Sequence, residues 1–131
     1  MNILFVSLSQ FKSLDEDTVY TGPLRKFVRE GHHVDAISPI EKLNNEPTQI
    51  HTDDKGNRIL NLRIGNIQKC NPIEKGINTL LLENVLIKGI KKYFNDVKYD
   101  LVLYSTPPIT FEKAVRYVKK RDGARTYLLL K

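Results

Sequence analysis

The sequence predicts an α/β fold, a Rossmann-like and mostly parallel sheet flanked by helices, and three features point to it. Apolar runs at Asn2 to Leu8, His33 to Ser38 and Asp100 to Ser105 read as strands buried on both faces. Between them, Tyr20 to Glu30 and Pro72 to Asn95 place apolar residues at three- and four-residue intervals, the signature of amphipathic helices. The two kinds of segment alternate, as they do in βαβ units joined by right-handed crossovers.

In chain order, Asn2 to Leu8 (NILFVSL) is the first strand, and the polar stretch from Ser9 to Val19 is a long loop. The first helix has Leu24, Phe27 and Val28 on one face, with Thr21 or Gly22 as N-cap, Pro23 in its first turn and Gly31 just past its end. His33 to Ser38 forms the second strand, stopped by Pro39. Thr48 to Thr52 and Arg58 to Ile64 are β-prone runs around the turn cluster Asp53-Asp54-Lys55-Gly56-Asn57, read as a small inserted β-hairpin or a pair of edge strands near 48–64.

The long second helix carries Ile77, Leu80, Leu81, Val85, Leu86, Ile90 and Phe94 as its sheet-facing residues. The strand ending at Ser105 meets Thr106-Pro107-Pro108, where two prolines forbid its continuation. Phe111, Ala114, Val115 and Val118 mark the third helix, closed by Asp122-Gly123, and Arg125 to Leu130 is a further strand without a successor. The 131 residues amount to one domain.

Composition narrows the function. A hydrophobic fraction of 40% with 27% charged residues belongs to a folded globular chain. The single cysteine, Cys70, and an opening without a signal-peptide pattern point to the cytoplasm. No stretch reaches the roughly 18 to 20 apolar residues that span a bilayer, so any membrane contact is peripheral. The net charge of +6 favours anionic partners, while the absence of a basic run with interleaved aromatics argues against nucleic acid.

Standard small-domain chemistries do not fit. The stretch after the first strand, Ser7-Leu8-Ser9-Gln10-Phe11-Lys12, lacks the glycines of a dinucleotide fingerprint, and no P-loop occurs. Strand tips at Ser7 and Ser105 lack the acids of a phospho-acceptor. No metal site is expected: adjacent His32 and His33 point to opposite faces of a strand, and His51 has only Asp53 and Asp54 nearby. Asp15, Glu16 and Asp17 read as a solvated loop. The basic residues Lys75, Lys88, Lys91, Lys92 and Lys98, with Arg116, Lys119, Lys120, Arg121 and Arg125, read as solvated helix surface or as a face suited to an anionic membrane.

The order NILFVS, polar loop, helix, Glu30-Gly31-His32-His33-Val34 (E-G-H-x-V) and Tyr99-Asp100-Leu101-Val102-Leu103-Tyr104-Ser105-Thr106-Pro107-Pro108 resembles the N-terminal domain of GT-B glycosyltransferases, over nearly the whole chain. The nearest resemblance is to the family 4 type that builds bacterial capsule, exopolysaccharide or lipopolysaccharide units. It implies the acceptor-side half of a retaining, hexosyltransferase-like enzyme with two Rossmann-like domains, inactive without its other half. That half would bind the nucleotide-sugar substrate; no cofactor is implied, and the catalytic residues are expected beyond Lys131.

By this resemblance Ser9, Gln10, Thr21, Gly22, Ser105, Thr106, Pro107 and Pro108 line the cleft. The implied partner is a small-molecule or lipid-linked glycan acceptor, met at the inner face of the plasma membrane, with the basic helix faces touching anionic lipid. One departure stands out: many relatives carry a glycine pair in the first loop, and Ser9 to Val19 has no glycine. The alternative is a stand-alone α/β module that binds a nucleotide or phosphate without catalysis.

Overall fold

The computed structural model describes residues 1–8, 10–16, 18, 20–41, 45–65, 71–105 and 111–129, apart from the side chains of Lys75, Thr79 and Leu80. Strand β1 (Asn2–Val6) leads through a long loop to helix α1 (Thr21–Arg29) and strand β2 (His33–Ile37). Four short strands follow: β3 (Ile40–Glu41), β4 (Gln49–Thr52), β5 (Arg58–Asn61) and β6 (Arg63–Ile64). Helix α2 (Pro72–Tyr93), strand β7 (Leu101–Ser105), helix α3 (Glu112–Asp122) and strand β8 (Arg125–Leu129) complete the chain.

The main sheet has the order β4-β5-β2-β1-β7-β8, and β3 pairs with β6 in a separate two-stranded ribbon. Every pairing in the main sheet is parallel except that of β4 with β5. The expected α/β, mostly parallel architecture is therefore present. The expected hairpin is present, β4 pairing antiparallel with β5, but it is not a separate insert: β5 also pairs in parallel with β2, Asp35 opposite Arg58 and Ile37 opposite Leu60, and only β4 lies at the edge. Leu60 is wholly buried at its centre, which a free-standing hairpin could not achieve.

The strict alternation of strand side chains builds two cores. Leu4 and Val6 of β1 and Val102 of β7 face α2 and α3, meeting Leu86, Ile90, Phe94, Val115 and Val118. Ile3 and Phe5 of β1 and Leu103 of β7 face the other way, onto Leu24 and Phe27 of α1 and onto Phe11. Each sheet face thus has its own helical cover.

The helix ends follow their local chemistry. Asn71 caps α2, its side-chain oxygen accepting from the Glu74 amide at 2.8 Å, with Pro72 in the first turn. Gly123 ends α3 with φ of +70°, the left-handed conformation that glycine adopts without strain. The N-cap of α1 is Tyr20, so Thr21 is the first helical residue and Gly22 the second, contrary to the expected capping role.

Two further expectations are overturned. Ile77 and Leu81, expected to face the sheet, are 53% and 52% exposed, whereas Leu82, Leu86, Ile90 and the C-cap residue Phe94 are buried as expected of the sheet-facing side; the side chain of Leu80 lies outside the described residues. Arg121, expected on a solvated surface, is partly buried and donates to the Phe94 and Val97 carbonyls at 3.2 and 3.0 Å. Among the described residues no helix is long and apolar enough to cross a membrane.

Candidate functional site

In an open parallel sheet the ligand crevice forms beyond the carboxyl ends of the strands, where consecutive connections leave in opposite directions. Here that switch point lies between β1, whose chain proceeds to β2 on one side, and β7, whose chain proceeds to β8 on the other. Ser7 directly follows β1 and Ser105 ends β7. Both are 1% exposed, and the Ser105 hydroxyl donates to the Ser7 hydroxyl at 3.0 Å. The two strand tips are thus joined by neutral groups.

The loop after β1 is folded down onto the sheet. Phe11 is buried against Phe5, and both of its backbone groups are held by side chains at neighbouring strand tips. Its amide donates to the Ser38 hydroxyl at 2.8 Å, and its carbonyl accepts from the Asn61 amide at 2.9 Å. Asn61 donates also to the Ser38 carbonyl at 2.9 Å, which orients its side chain and leaves Oδ1 buried with no hydrogen-bond partner among the described residues.

Farther along the loop, Glu16 accepts from the amides of Lys12 and Ser13 at 2.6 and 3.0 Å, closing a local turn. Arg25 of α1 donates to the Leu14 carbonyl at 2.7 Å. The Thr21 hydroxyl donates to the Glu16 carbonyl and accepts from the Thr18 amide. Glu16, one of the three loop acids, therefore serves loop architecture.

Of the residues expected to line the cleft, Ser105 stands buried at the switch point and Gln10 is exposed on the β1–α1 loop. Thr21 is fully buried beneath the loop, and Gly22 is half-buried in the first turn of α1. Ser9, Thr106, Pro107 and Pro108 lie outside the described residues. Sequence reasoning missed Ser38 and Asn61 as loop anchors; a strand-tip serine and an asparagine ending a β-prone run were the only signals.

The ionisable groups with shifted pKa values cluster at the opposite, amino end of the sheet. Buried Asp35 accepts two bonds from Arg58, at 3.0 and 2.8 Å, and one from the Tyr99 hydroxyl at 2.6 Å. Arg58 extends to Asp96 at 3.1 Å. His33 Nε2 lies 2.9 Å from Asp35 Oδ1 without the alignment of a hydrogen bond. Hydrogen bonding to Asp35 raises the Arg58 pKa, while burial, then the Asp35 charge, pushes the Tyr99 phenol up.

Asp122 belongs to the same end of the sheet. Burial pulls its pKa upward, but the hydrogen bonds from Arg121 and from the Tyr99 amide outweigh burial and hold it below 3.8. These groups tie the C-terminal ends of α2 and α3 to the starts of β2, β5 and β7, a structural role.

A groove of about 500 Å³ lies between α1 and the β4–β5 hairpin, lined by residues including Lys12, Arg25, Arg29, His51, Lys55 and Ile59. It opens where the connection from β2 to β5 supplies no helix among the described residues, and it is separate from the Ser7–Ser105 pair. Its charges are mixed, with Asp15, Asp53 and Asp54 beside the basic groups. No cluster of three or more metal-ligating side chains occurs among the described residues.

The switch point therefore combines hydroxyls, amides and a fixed loop. The hydroxyls of Ser7, Ser38 and Ser105 and the Asn61 side chain are buried there and bonded within the protein, so they fix the strand tips and the loop, and it is the exposed part of the loop, at Gln10 and Lys12, that can meet a ligand. Among the described residues the switch point holds no carboxylate or imidazole positioned for proton transfer. The chain matches no known protein family and no curated protein sequence.

Proposed function

We propose that the chain is the acceptor-binding half of a retaining, family 4-like GT-B glycosyltransferase, which moves a sugar from a nucleotide-sugar donor to a lipid-linked glycan in cell-surface polysaccharide synthesis. The observation that carries this reading is a switch point with neutral strand tips, Ser7 bonded to Ser105, next to a β1–α1 loop anchored on the tips of β2 and β5 through Ser38 and Asn61. Glycan hydroxyls are both donors and acceptors, and the exposed Gln10 side chain on this loop is of a type that pairs with them without charge, while buried Ser7, Ser38, Ser105 and Asn61 hold the loop and the strand tips in place. The E-G-H-x-V segment and the strand ending in Ser105-Thr106-Pro107-Pro108 add sequence support.

Transfer needs stabilisation of the charge that develops on the departing nucleoside diphosphate. The first loop has no glycine through which its backbone could approach a diphosphate, so donor binding and catalysis are assigned to a second domain. The protein would then act at the cytoplasmic face of the plasma membrane.

Saturation-transfer NMR with two ligand panels tests the reading. Polyprenyl diphosphate sugars should give signals at their glycan protons, whereas nucleotide sugars should give none. Signals from the nucleotide sugars alone would replace this reading with that of a nucleotide-binding module.

A further inference from the structure

We propose that the groove between α1 and the β4–β5 hairpin binds a small zwitterion, one carboxylate and one ammonium on an apolar body, the chemistry of apolar amino acids and short peptides. Leu24 of α1 and Phe11 of the β1–α1 loop share a core with Phe5 of β1 and Val34 of β2, which covers the middle of this sheet face. His51 of β4 stands opposite Ile59 of β5 and shares its face, at the uncovered edge of the sheet. The groove left there, about 500 Å³, falls within the range of roughly 300 to 1,000 Å³ typical of small-molecule sites.

Arg25, Val28 and Arg29, three and four positions apart, form one wall from a single side of α1. Val28, Leu14 and Ile59 make part of the lining apolar. On the hairpin side, His51 Nε2 is buried and has no hydrogen-bond partner among the described residues. A buried polar nitrogen left unpaired is costly, and a polar group bound in the groove would satisfy it.

The charges around the groove select the ligand. Three of them already serve the protein: Lys12 pairs with Glu46 at 2.9 Å, Arg25 donates to the Leu14 carbonyl, and Asp53 accepts from the Lys55 and Asn57 amides. Arg29 and Lys55 remain on the basic side and Asp15 and Asp54 on the acidic side, all four exposed. A polyphosphate would meet the two carboxylates, and a polyamine the two cations. A neutral apolar ligand would leave His51 Nε2 unpaired. A zwitterion sets its carboxylate against Arg29, Lys55 and His51 and its ammonium against Asp15 or Asp54, with its apolar body on Val28 and Ile59. Leu14 and Asp15 belong to the β1–α1 loop, so an occupied groove also holds that loop in place.

The test is protein NMR of the whole chain with L-leucine and with L-leucyl-L-leucine, without glycolipid, so its outcome is independent of the transferase reading. At least one of the two should bind with a Kd of about 1 mM or tighter, shifting the amides of Arg29, His51 and Lys55 and leaving that of Ser105 in place. Tighter binding of leucine assigns the groove to free amino acids, and tighter binding of the dipeptide assigns it to peptides. The same ligand with its amine acetylated, or with its carboxylate converted to an amide, should bind at least about tenfold more weakly. Arg29→Gln and His51→Leu should each weaken binding by about tenfold. Both variants should melt within a few degrees of the parent, since Arg29 is exposed and His51 Nε2 has no bond to lose. Amide exchange at Leu14 and Asp15 should slow when the ligand is bound.

No binding of either zwitterion at about 10 mM overturns the proposal. So does equal binding of the blocked forms, which would show that apolar burial alone drives association. Inorganic phosphate or ATP that binds this groove more tightly than both zwitterions would assign it to anions and overturn the proposal too. Full binding by both Arg29→Gln and His51→Leu would place the ligand elsewhere, with the same consequence.

Discussion

Ser7 and Ser105, 98 positions apart in sequence, share a buried hydrogen bond of 3.0 Å that joins the tips of β1 and β7 at the switch point of the sheet. The bond is between neutral groups in a place shielded from water, so its loss is felt as one missing hydrogen bond. Ser105→Ala is expected to cost about 1 kcal/mol. In urea denaturation the midpoint should fall by roughly 0.5 M with an unchanged slope.

The anchoring of Phe11 makes a separate prediction. Asn61→Ala removes the donor shared by the Phe11 and Ser38 carbonyls and should cost about 2 kcal/mol, close to two hydrogen bonds. Its signature is local: amide exchange at residues 10–16 should accelerate by about tenfold or more while the centres of β1 and β2 keep their protection. Uniform acceleration across the sheet would show that Asn61 supports the whole fold rather than the loop.

Gln10 separates binding from stability. It is exposed on the β1–α1 loop, so Gln10→Ala should change the melting temperature by only a few degrees. On the acceptor reading it should weaken the binding of a polyprenyl diphosphate sugar by about fivefold, the loss of one hydrogen bond. Titration of both proteins with the same glycolipid checks this.

Tyr99 governs the alkaline limb of stability. Burial, reinforced by the Asp35 carboxylate, raises its pKa above the ordinary 10.0, so the neutral phenol is favoured in the folded state. Its contribution is fully present below about pH 10 and is lost as the pH rises through the raised value. Tyr99→Phe should cost about 2 kcal/mol at pH 7, the worth of a hydrogen bond to a carboxylate, and should flatten the decline in stability between about pH 10 and 11.5. Chemical denaturation at several pH values measures both effects.

The strands were legible where apolar residues run without interruption, as in Ile3 to Val6 and Val102 to Leu103, because burial on both faces leaves no room for polar alternation. β5 was harder: only Ile59 and Leu60 stand between Arg58 and Asn61, and its parallel partner β2 lies more than twenty residues earlier. The apolar periodicity of α2 revealed a helix but not what covers each turn, so Ile77 and Leu81 read like Leu86. Arg121 sits in a basic run that resembles solvated surface until the Phe94 and Val97 carbonyls come into view.

The candidate site divides in the same way. Ser105 at the tip of β7 and the loop carrying Gln10 followed from strand order, since the carboxyl ends of parallel strands form the crevice. Thr21 did not: its short polar side chain suited a cap, and the fold uses it to hold the Glu16 carbonyl from below. The Ser38–Phe11–Asn61 arrangement joins residues 50 positions apart, and no local pattern encodes such a bond.

The central claim, that a glycan acceptor lies against the switch point, is tested most directly by photo-crosslinking with a polyprenyl diphosphate sugar that carries a diazirine on its sugar, followed by mass-spectrometric mapping. The account predicts adducts at Gln10 on the β1–α1 loop and at the end of β7 near Ser105, competed away by unlabelled glycolipid. Adducts confined to the groove of Arg29, His51 and Lys55, or labelling that unlabelled glycolipid does not suppress, would contradict it.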